Sequence, residues 1–205
     1  KEGKLFVADV PEYNGRPLEF RQLWINGNKA VRARDVADFN DMHRILSLDK
    51  PNGIIYVPAK AVSKIAKSQK GEMVLHEMWC IANLRIKSIK MLGDSAAVTF
   101  HEPESHIHFM HPWPSPMVNT DGRNSAFYLT GAKELLDTPG EWHLDTKAGK
   151  IYYMPHKGED LRKATVEAPA LETLLKVDGT PDNLASNILI KGVTFSHATW
   201  MRPSI

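Results

Sequence analysis

The chain has 205 residues, of which 42% are hydrophobic and 24% charged, a balance that is ordinary for a folded protein with a real core. The net charge is +2 and no long basic run occurs, so the composition gives no sign of nucleic-acid binding. No window approaches 18 apolar residues, so the sequence predicts no membrane-spanning helix.

Strand signals in the first part of the chain are short and frequent. Residues 4–10 alternate between polar and apolar side chains, and residues 54–57 form a short apolar run. Between residues 21–25 and 29–33 stands the dipeptide Asn26-Gly27, which favours a two-residue hairpin turn because both positions tolerate a positive φ. The pattern predicts a hairpin there.

One helix is predicted, over residues 59–70. Pro58 can precede its first turn, and Gly71 can cap its end. Val62 and Ile65 fall on one face of this helix, with lysines on the other.

The middle of the chain is typical of an antiparallel meander. Residues 73–82, 84–91 and 96–100 are apolar or alternating, and Gly93 starts a turn before the last of them. We predict a further strand at residues 106–109.

The later part predicts a second hairpin from residues 141–145 and 150–154, and a strand at residues 164–168. Residues 131–137 can form one or two helical turns. Residues 111–116 contain three prolines and therefore predict an ordered, semi-extended loop.

The last part of the chain has the pattern of one coil of a β-solenoid. Ile188 and Ile190 fall on one face of a predicted strand, Gly192 turns the chain, and Val193 and Phe195 point inward again. A lone coil cannot bury its stacking faces. We therefore expect the chain to be the front part of a longer protein.

Several segments carry a resemblance to a known family. They read QLWING (22–27), FYL (127–129), PGEWHLD (139–145), IYYMP (151–155) and GVTFSH (192–197). Together they resemble bacterial right-handed parallel β-helix proteins of polysaccharide degradation. That group includes glycoside hydrolases with fucosidase- or xylanase-type activity and is related in fold to pectate lyases.

The resemblance implies a mainly β fold. We expect residues 1–168 to form a small antiparallel β-barrel or sandwich-like domain with one α-helix, inserted between the first strands and the body of the β-helix. Residues 169–205 would lead into the first coil of the right-handed parallel β-helix. In this family the carboxylates that do the chemistry come from later coils, so no catalytic residue is carried over. The family's setting implies a secreted or periplasmic protein, although the chain shows no signal peptide.

Four histidines, His101, His106, His108 and His111, lie within eleven residues. On a strand His106 and His108 share one face, and such a pair can bind Zn²⁺ if a third ligand arrives from elsewhere. The other interpretation is a polar strand face without metal. We expect no metal and no cofactor, with the histidine pair as the alternative.

Trp113 stands between prolines in the loop after His111 and is the best candidate for contact with a ligand. A rigid loop that holds an indole outward offers a flat apolar platform for a sugar ring. We assign Trp113, His111 and His108 to a candidate saccharide site. The alternative is that Trp113 folds back and fills a junction between domains.

The other aromatic residues fit a structural role. Among Trp142, Tyr152 and Tyr153 we expect at least two to face the core, because they lie on one hairpin. Trp24 and Trp79 are expected in the core or at an interface.

The remaining reactive side chains also have structural interpretations. Asp137, Glu141 and Asp145 stand next to turns, where acids commonly accept hydrogen bonds from backbone N–H groups. Cys80 lies in an apolar run and is expected as a buried thiol. Adjacent residues of a strand point to opposite faces, which argues against catalysis by Ser196-His197.

The sequence thus predicts an accessory or capping domain of a polysaccharide-degrading β-helix protein. Its expected partners are an oligo- or polysaccharide and the rest of the parent β-helix, with no nucleic acid and no membrane. The parent would be a glycoside hydrolase or a polysaccharide lyase, and we expect the present chain alone to be inactive. Two other hypotheses are a stand-alone carbohydrate-binding module and a structural domain without a ligand. A metal-dependent enzyme built on the histidines comes last.

Overall fold

The structure is a computed structural model that describes residues 5–110, 112 and 114–201. Within these residues the chain is mainly β, with sixteen strands and two short α-helices. The strands are β1 (Phe6–Asp9), β2 (Glu12–Tyr13), β3 (Arg16–Pro17), β4 (Trp24–Ile25), β5 (Asn28–Lys29), β6 (Val31–Arg32), β7 (His43–Arg44), β8 (Ser47–Asp49), β9 (Ile54–Pro58), β10 (Glu72–His76), β11 (Ile81–Leu92), β12 (Ser95–Phe100), β13 (Ala126–Thr130), β14 (Glu141–Asp145), β15 (Lys150–Tyr153) and β16 (Val166–Glu167). The helices are α1 (Ala59–Val62) and α2 (Glu104–Met110), and 3₁₀ turns occur at Phe39–Asp41 and Lys133–Leu135.

The largest sheet has seven strands in the order β7-β13-β10-β11-β12-β9-β8. Its neighbouring strands are antiparallel throughout. A four-stranded sheet, β1-β15-β14-β6, contains the parallel pair β14–β6, and smaller sheets are formed by β16-β4-β5 and β2-β3. None of these sheets closes on itself, because the large sheet ends at the short edge strands β7 and β8, which do not pair with each other. The predicted barrel is therefore wrong, and the domain consists of open sheets packed around a core.

Alternation along β9, β11 and β12 separates a buried face from a more exposed one, whereas β10 is buried on both faces as far as Leu75. Met73, Leu75, Leu84, Phe127 and Leu129 are fully buried on one face of the large sheet. Burying such side chains gives each a favourable contribution of roughly 1.5–3 kcal/mol relative to leaving it exposed. The opposite face of β10 and β13 carries polar and aromatic side chains, and it positions the candidate site described below.

A second core lies behind the four-stranded sheet. Trp142 is fully buried there and stacks on Phe20, with ring centroids 5.3 Å apart. Tyr153 is buried beside it, whereas Tyr152 is half-buried. The prediction that at least two of the three hairpin aromatics face the core is confirmed.

Strand β1 pairs with β15 in the same sheet, and Phe6 lies opposite Tyr153. An early and a late segment of the chain thus lie side by side.

Both predicted hairpins form. Strands β4 and β5 meet at Asn26 and Gly27, whose φ angles of 50° and 74° are the positive values that the turn requires. Strands β14 and β15 pair as predicted around Gly149. The meander of β10, β11 and β12 is also confirmed.

The helix predicted over residues 59–70 begins as expected after Pro58 but ends at Val62, followed by turns. The hydroxyls of Ser63 and Ser68 donate to the carbonyl oxygens of Lys60 and Ile65, and such back-bonding competes with regular helix geometry. The apolar face still packs as predicted, because Val62 and Ile65 are fully buried.

The strand predicted at residues 106–109 is wrong, because these residues belong to helix α2. The carboxylate of Glu104 is fully buried and accepts hydrogen bonds from the backbone and side chain of Arg85 on β11. This contact with Arg85 anchors the start of α2. The buried residues Glu104, His108 and Phe109 follow the spacing of one helix face and not the alternation of a strand.

The predicted buried thiol is also a correction. Cys80 is half-buried, because it lies at the tip of the β10–β11 hairpin, where the N–H of Glu77 donates to its carbonyl oxygen. Trp79 on the same tip is 58% exposed, so it is not a core residue.

Residues 169–201 run along the surface without a helix or an extended strand, apart from the isolated bridge between Thr180 and Asn183. The strand predicted at Ile188 is not formed, because no neighbouring strand pairs with the backbone there. Ile188 and Leu189 are 56% and 85% exposed. Among the described residues, no helix has the length and apolar character needed to cross a membrane.

Candidate functional site

A pair of arginines emerges from one side of strand β6 and its continuation. Arg32 and Arg34 flank Ala33, which is fully buried, so the two arginine side chains share the opposite face. The N–H of Ala33 donates to the carbonyl of Trp142 and holds this segment against the four-stranded sheet. The backbone therefore directs both guanidinium groups toward the large sheet.

The carboxylate of Glu72 binds two arginines at once. Its oxygens accept hydrogen bonds from Nη1 and Nη2 of Arg32, both at 2.9 Å, and from Nη1 of Arg21 at 2.8 Å. Nη2 of Arg21 forms a further ion pair with Glu72. Bidentate arginine–carboxylate pairs are geometrically specific, so this cluster fixes the first strands against the start of β10.

Burial alone would raise the pKa of Glu72, but the charge of Arg32 and hydrogen bonds from Arg32 and Arg21 outweigh it. They lower the pKa from 4.5 to about 2. Glu72 therefore stays ionised in the neutral and mildly acidic range. The two arginine side chains remain partly exposed, at 18% for Arg21 and 25% for Arg32.

Gly131 makes room for the Arg32 guanidinium. Its φ of 76° favours glycine, and a Cβ atom at this position would lie 2.5 Å from Nη2 of Arg32. The backbone at the end of β13 can thus approach the guanidinium closely and packs against it.

Next to the arginines lies an aromatic cluster, which consists of Phe39, His76 and Tyr128. The ring centroids of Phe39 and Tyr128 are 5.6 Å apart, and His76 lies 6.4 Å from Phe39 and 6.3 Å from Tyr128. Arg34 places its guanidinium carbon 4.8 Å from the Phe39 ring centre. Phe39 is 51% exposed, so this cluster presents an aromatic surface to solvent.

The arginines and Tyr128 meet in a cleft of about 430 Å³, which we call the arginine cleft. Its wall consists of the residues Arg21, Gln22, Lys29, Ala30, Val31, Arg32, Arg34, Val74, Asn83, Tyr128, Thr130 and Trp200. Four cationic side chains line it, while Glu72 is the carboxylate bound to two of them. The surface combines guanidinium and amide donors with an aromatic platform.

A model of the GH141 insertion domain matches residues 3–156. The chain belongs to this family. A solved structure described as a glycoside hydrolase is similar to the chain with 59% sequence identity and a TM-score of 0.91, and the match covers 99% of the chain. The comparison with curated proteins finds no significant match.

The chain spans about a third of that glycoside hydrolase, since the match covers 35% of its length. The predicted relationship to glycoside hydrolases is confirmed at this level. The predicted insertion of a β-rich domain agrees with the matched family model.

Of the residues assigned to the predicted saccharide site, His108 is described by the structure and does not line the arginine cleft. His108 lies in helix α2 with its side chain 8% exposed, and its Nδ1 is 3.6 Å from the buried Oε1 of Glu77. Because it is buried, His108 offers little surface to a saccharide, and its assignment stays a prediction. His111 and Trp113 lie outside the described residues of the insertion domain, so their role stays a prediction.

The structure does not support the alternative metal site at His106 and His108. On helix α2, His106 is exposed while His108 is buried, so the two side chains do not share a face. Within the described part of the chain, no group of three or more His, Cys, Asp or Glu side chains could hold a metal ion. Glu77 and His108 form a buried pair in which both carboxylate oxygens and Nε2 lack a hydrogen-bond partner among the described residues.

Two of the three acids near turns have the structural role that the sequence predicts, whereas the carboxylate of Asp137 accepts from the side chains of Lys64 and Thr138. Glu141 accepts hydrogen bonds from the backbone N–H groups of Arg34, Asp137 and Thr138. Asp145 accepts one from the N–H of Ala148 in the hairpin turn. Because the Glu141 oxygens are occupied by backbone donors and the residue is buried, it does not face the cleft.

Sequence reasoning missed the residues of the arginine cleft. One local signal was present, the alternation of Arg32 and Arg34 around an apolar Ala33. A second was the alternation of Glu72, Val74 and His76 on one face of β10. Neither signal shows which strands bring these residues together in the insertion domain.

Proposed function

We propose that this insertion domain forms one wall of the saccharide-binding cleft of a larger glycoside hydrolase, whose catalytic residues lie outside the present chain. The observation that carries the proposal is the joint exposure of the arginine cleft and the aromatic cluster on one face of the large sheet. Sugar rings present apolar C–H faces that pack on aromatic rings, and their hydroxyls accept hydrogen bonds from arginine and amide groups.

The C-terminal segment supports attachment to a larger body. Leu184, Leu189 and Val193 are 74%, 85% and 60% exposed, and further apolar residues of residues 171–195 are exposed with them. Surface of this kind marks a contact with other protein. We propose that residues 169–205 contribute the first coil of a right-handed parallel β-helix and pair with later coils.

As an enzyme part, the domain would act on a polysaccharide outside the cytoplasm, secreted or periplasmic, and would not hydrolyse it alone. The catalytic carboxylates of a glycoside hydrolase face each other across the scissile bond at roughly 5–9.5 Å. Glu72, the carboxylate next to the arginine cleft, does not line it, and both of its oxygens are held by arginines. An assay for released reducing sugar is expected to give no signal with the present chain.

Binding of neutral and acidic oligosaccharides to the chain, measured by a glycan array followed by calorimetry, tests the cleft. Phe39→Ala and Tyr128→Ala are expected to weaken the binding about tenfold, a loss of about 1.4 kcal/mol. The matched control is Tyr13→Ala, because Tyr13 is also exposed and lies on the separate β2–β3 hairpin.

The result that would overturn the proposal is the absence of binding to every saccharide, which would favour a structural domain without a ligand. Equal weakening by Tyr13→Ala would also contradict it. A stand-alone carbohydrate-binding module predicts the same binding but no contact between residues 169–205 and further chain. Hydrogen exchange of that segment in the longer protein distinguishes the two.

A further inference from the structure

We propose that the arginine cleft recognises the carboxylate of an acidic sugar, so that the saccharide bound by this domain carries a uronic acid. This inference rests on the proposed saccharide-binding function and names the class of sugar at the same site. It follows from the charge, the geometry and the surroundings of the arginines.

The charge of the cleft is not balanced. Arg21, Lys29, Arg32 and Arg34 line it, and Glu72 compensates one of these four charges. A neutral saccharide needs hydrogen-bond donors and acceptors but no excess of cations. An anionic group placed here would meet several cations in a partly desolvated setting, where charge–charge attraction is stronger than in bulk water.

The arrangement of the guanidinium groups favours a carboxylate. Glu72 is held by the Nη atoms of Arg21 and Arg32, and each guanidinium carries five N–H groups, so donors remain on both. Arg34 is not tied to Glu72; its Nη2 donates to the carbonyl of Ala37 at 3.1 Å, and its guanidinium carbon lies 4.8 Å from the centre of the Phe39 ring. A planar guanidinium held in this way can bind a carboxylate with two parallel hydrogen bonds.

Glu72 acts as a permanent counter-charge for Arg21 and Arg32. It remains bound to both arginines and does not compete with a ligand as a free carboxylate would. The arginines hold its pKa at about 2, so it keeps its negative charge, and with it the position of both guanidinium groups, across the pH range in which a uronic acid is ionised. The backbone of Gly131 packs closely against the Arg32 guanidinium and helps to hold it in place.

The aromatic cluster adjoins the same surface. Tyr128 belongs both to the cluster and to the wall of the cleft, and Arg34 contacts the ring of Phe39. A saccharide whose ring packs on Phe39 and Tyr128 would therefore have its carboxylate within reach of the arginines. This combination gives the site at least two sugar subsites of different chemistry, one aromatic and one cationic.

The first experiment needs no variant. Calorimetry measures binding of a uronic-acid oligosaccharide to the chain and of the same oligosaccharide with its carboxylates methyl-esterified. The ester removes the charge and keeps the ring. We expect the acid to bind at least about tenfold more tightly, with an affinity that falls as salt is raised from about 0.05 M to 0.5 M.

The second experiment uses Arg34→Gln, with Arg123→Gln as the matched control. Arg123 is 84% exposed, pairs with Asp121 and does not line the cleft. We expect Arg34→Gln to weaken binding of the acid about five- to tenfold and binding of the ester less than twofold. Arg123→Gln is expected to change neither, and unchanged urea midpoints show that both variants are folded.

The outcomes separate the two proposals. Equal affinity for the acid and the ester overturns the recognition of a carboxylate, and the proposed saccharide-binding function stands if Tyr128→Ala still weakens both. Absence of binding to the acid, the ester and neutral oligosaccharides overturns the proposed function itself.

Discussion

The sheets of residues 5–168 and the segment of residues 169–201 differ in the burial of their apolar side chains. In the sheets, Leu75 and Leu129 are fully buried and each strand has paired neighbours. In the segment, Leu189 is 85% exposed, and the backbone contacts are few, such as the bond from Thr199 to Leu171. The sheets bury these side chains and pair their backbones, whereas the segment leaves large apolar side chains exposed and has few backbone pairs.

The largest effect is expected from the same substitution placed in the two regions. Leu75→Ala leaves a cavity in the core and is expected to lower the free energy of unfolding by about 3 kcal/mol. Leu189→Ala removes an exposed side chain and is expected to change it by less than about 0.5 kcal/mol. Urea denaturation of the present chain measures both. A large loss for Leu189→Ala would break the comparison, since it would show that the segment already packs.

An intermediate effect is expected from Glu72→Gln. The substitution leaves Arg21 and Arg32 without their carboxylate, and we expect a loss of about 2 kcal/mol, less than the roughly 3–5 kcal/mol of a fully buried pair because both arginines reach solvent. The matched control is Asp160→Asn, which breaks an exposed pair with Arg162 and is expected to have no measurable effect.

The Glu72 contribution also has a defined pH window. Because its folded-state pKa is lowered from 4.5 to about 2, its stabilisation is complete above pH 4.5 and is lost as the pH falls toward 2. The difference in unfolding free energy between the original chain and Glu72→Gln should therefore shrink over this range. A constant difference would contradict the ion-pair account.

The smallest effect concerns His143, which is buried on β14. Burial lowers its pKa from 6.5 to about 4, so the unfolded chain binds the proton first and stability falls as the pH drops from 6.5 toward 4. We expect a loss of about 1 kcal/mol by pH 5, since one pKa unit corresponds to about 1.4 kcal/mol and solvent screens part of it.

His143→Gln should remove this part of the pH dependence, as measured by urea denaturation at pH 6.5 and pH 5. His101→Gln is the control, because His101 is exposed. If both variants kept the slope of the original chain, the effect would not come from His143.

The parts of the fold that the sequence predicts are those decided by local chemistry. The hairpin at Asn26 and Gly27 follows from two residues that accept a positive φ, and the β10–β11–β12 meander follows from alternation. Helix α2 was not predictable in this way. Its seven residues are held by Glu104, whose partner Arg85 lies on strand β11.

The candidate site was harder to predict for the same reason. Glu72 joins arginines that lie 51 and 40 residues away, and no local pattern shows such pairing. The histidine-rich segment 101–111 suggested a site on a strand instead, although its spacing suits a helix with His108 on the inner face. The relationship to glycoside hydrolases could be predicted from the sequence, because it depended on short segments spread along the whole chain.

The pairing of β1 with β15 has a consequence for how such a module is carried. Phe6 and Tyr153, near the two limits of the matched region at residues 3–156, are neighbours across one ladder. A longer chain that carried this module between Phe6 and Tyr153 would therefore enter and leave it at almost the same point. Such a module can be inserted into an existing fold, or deleted from it, in the same way as a long surface loop.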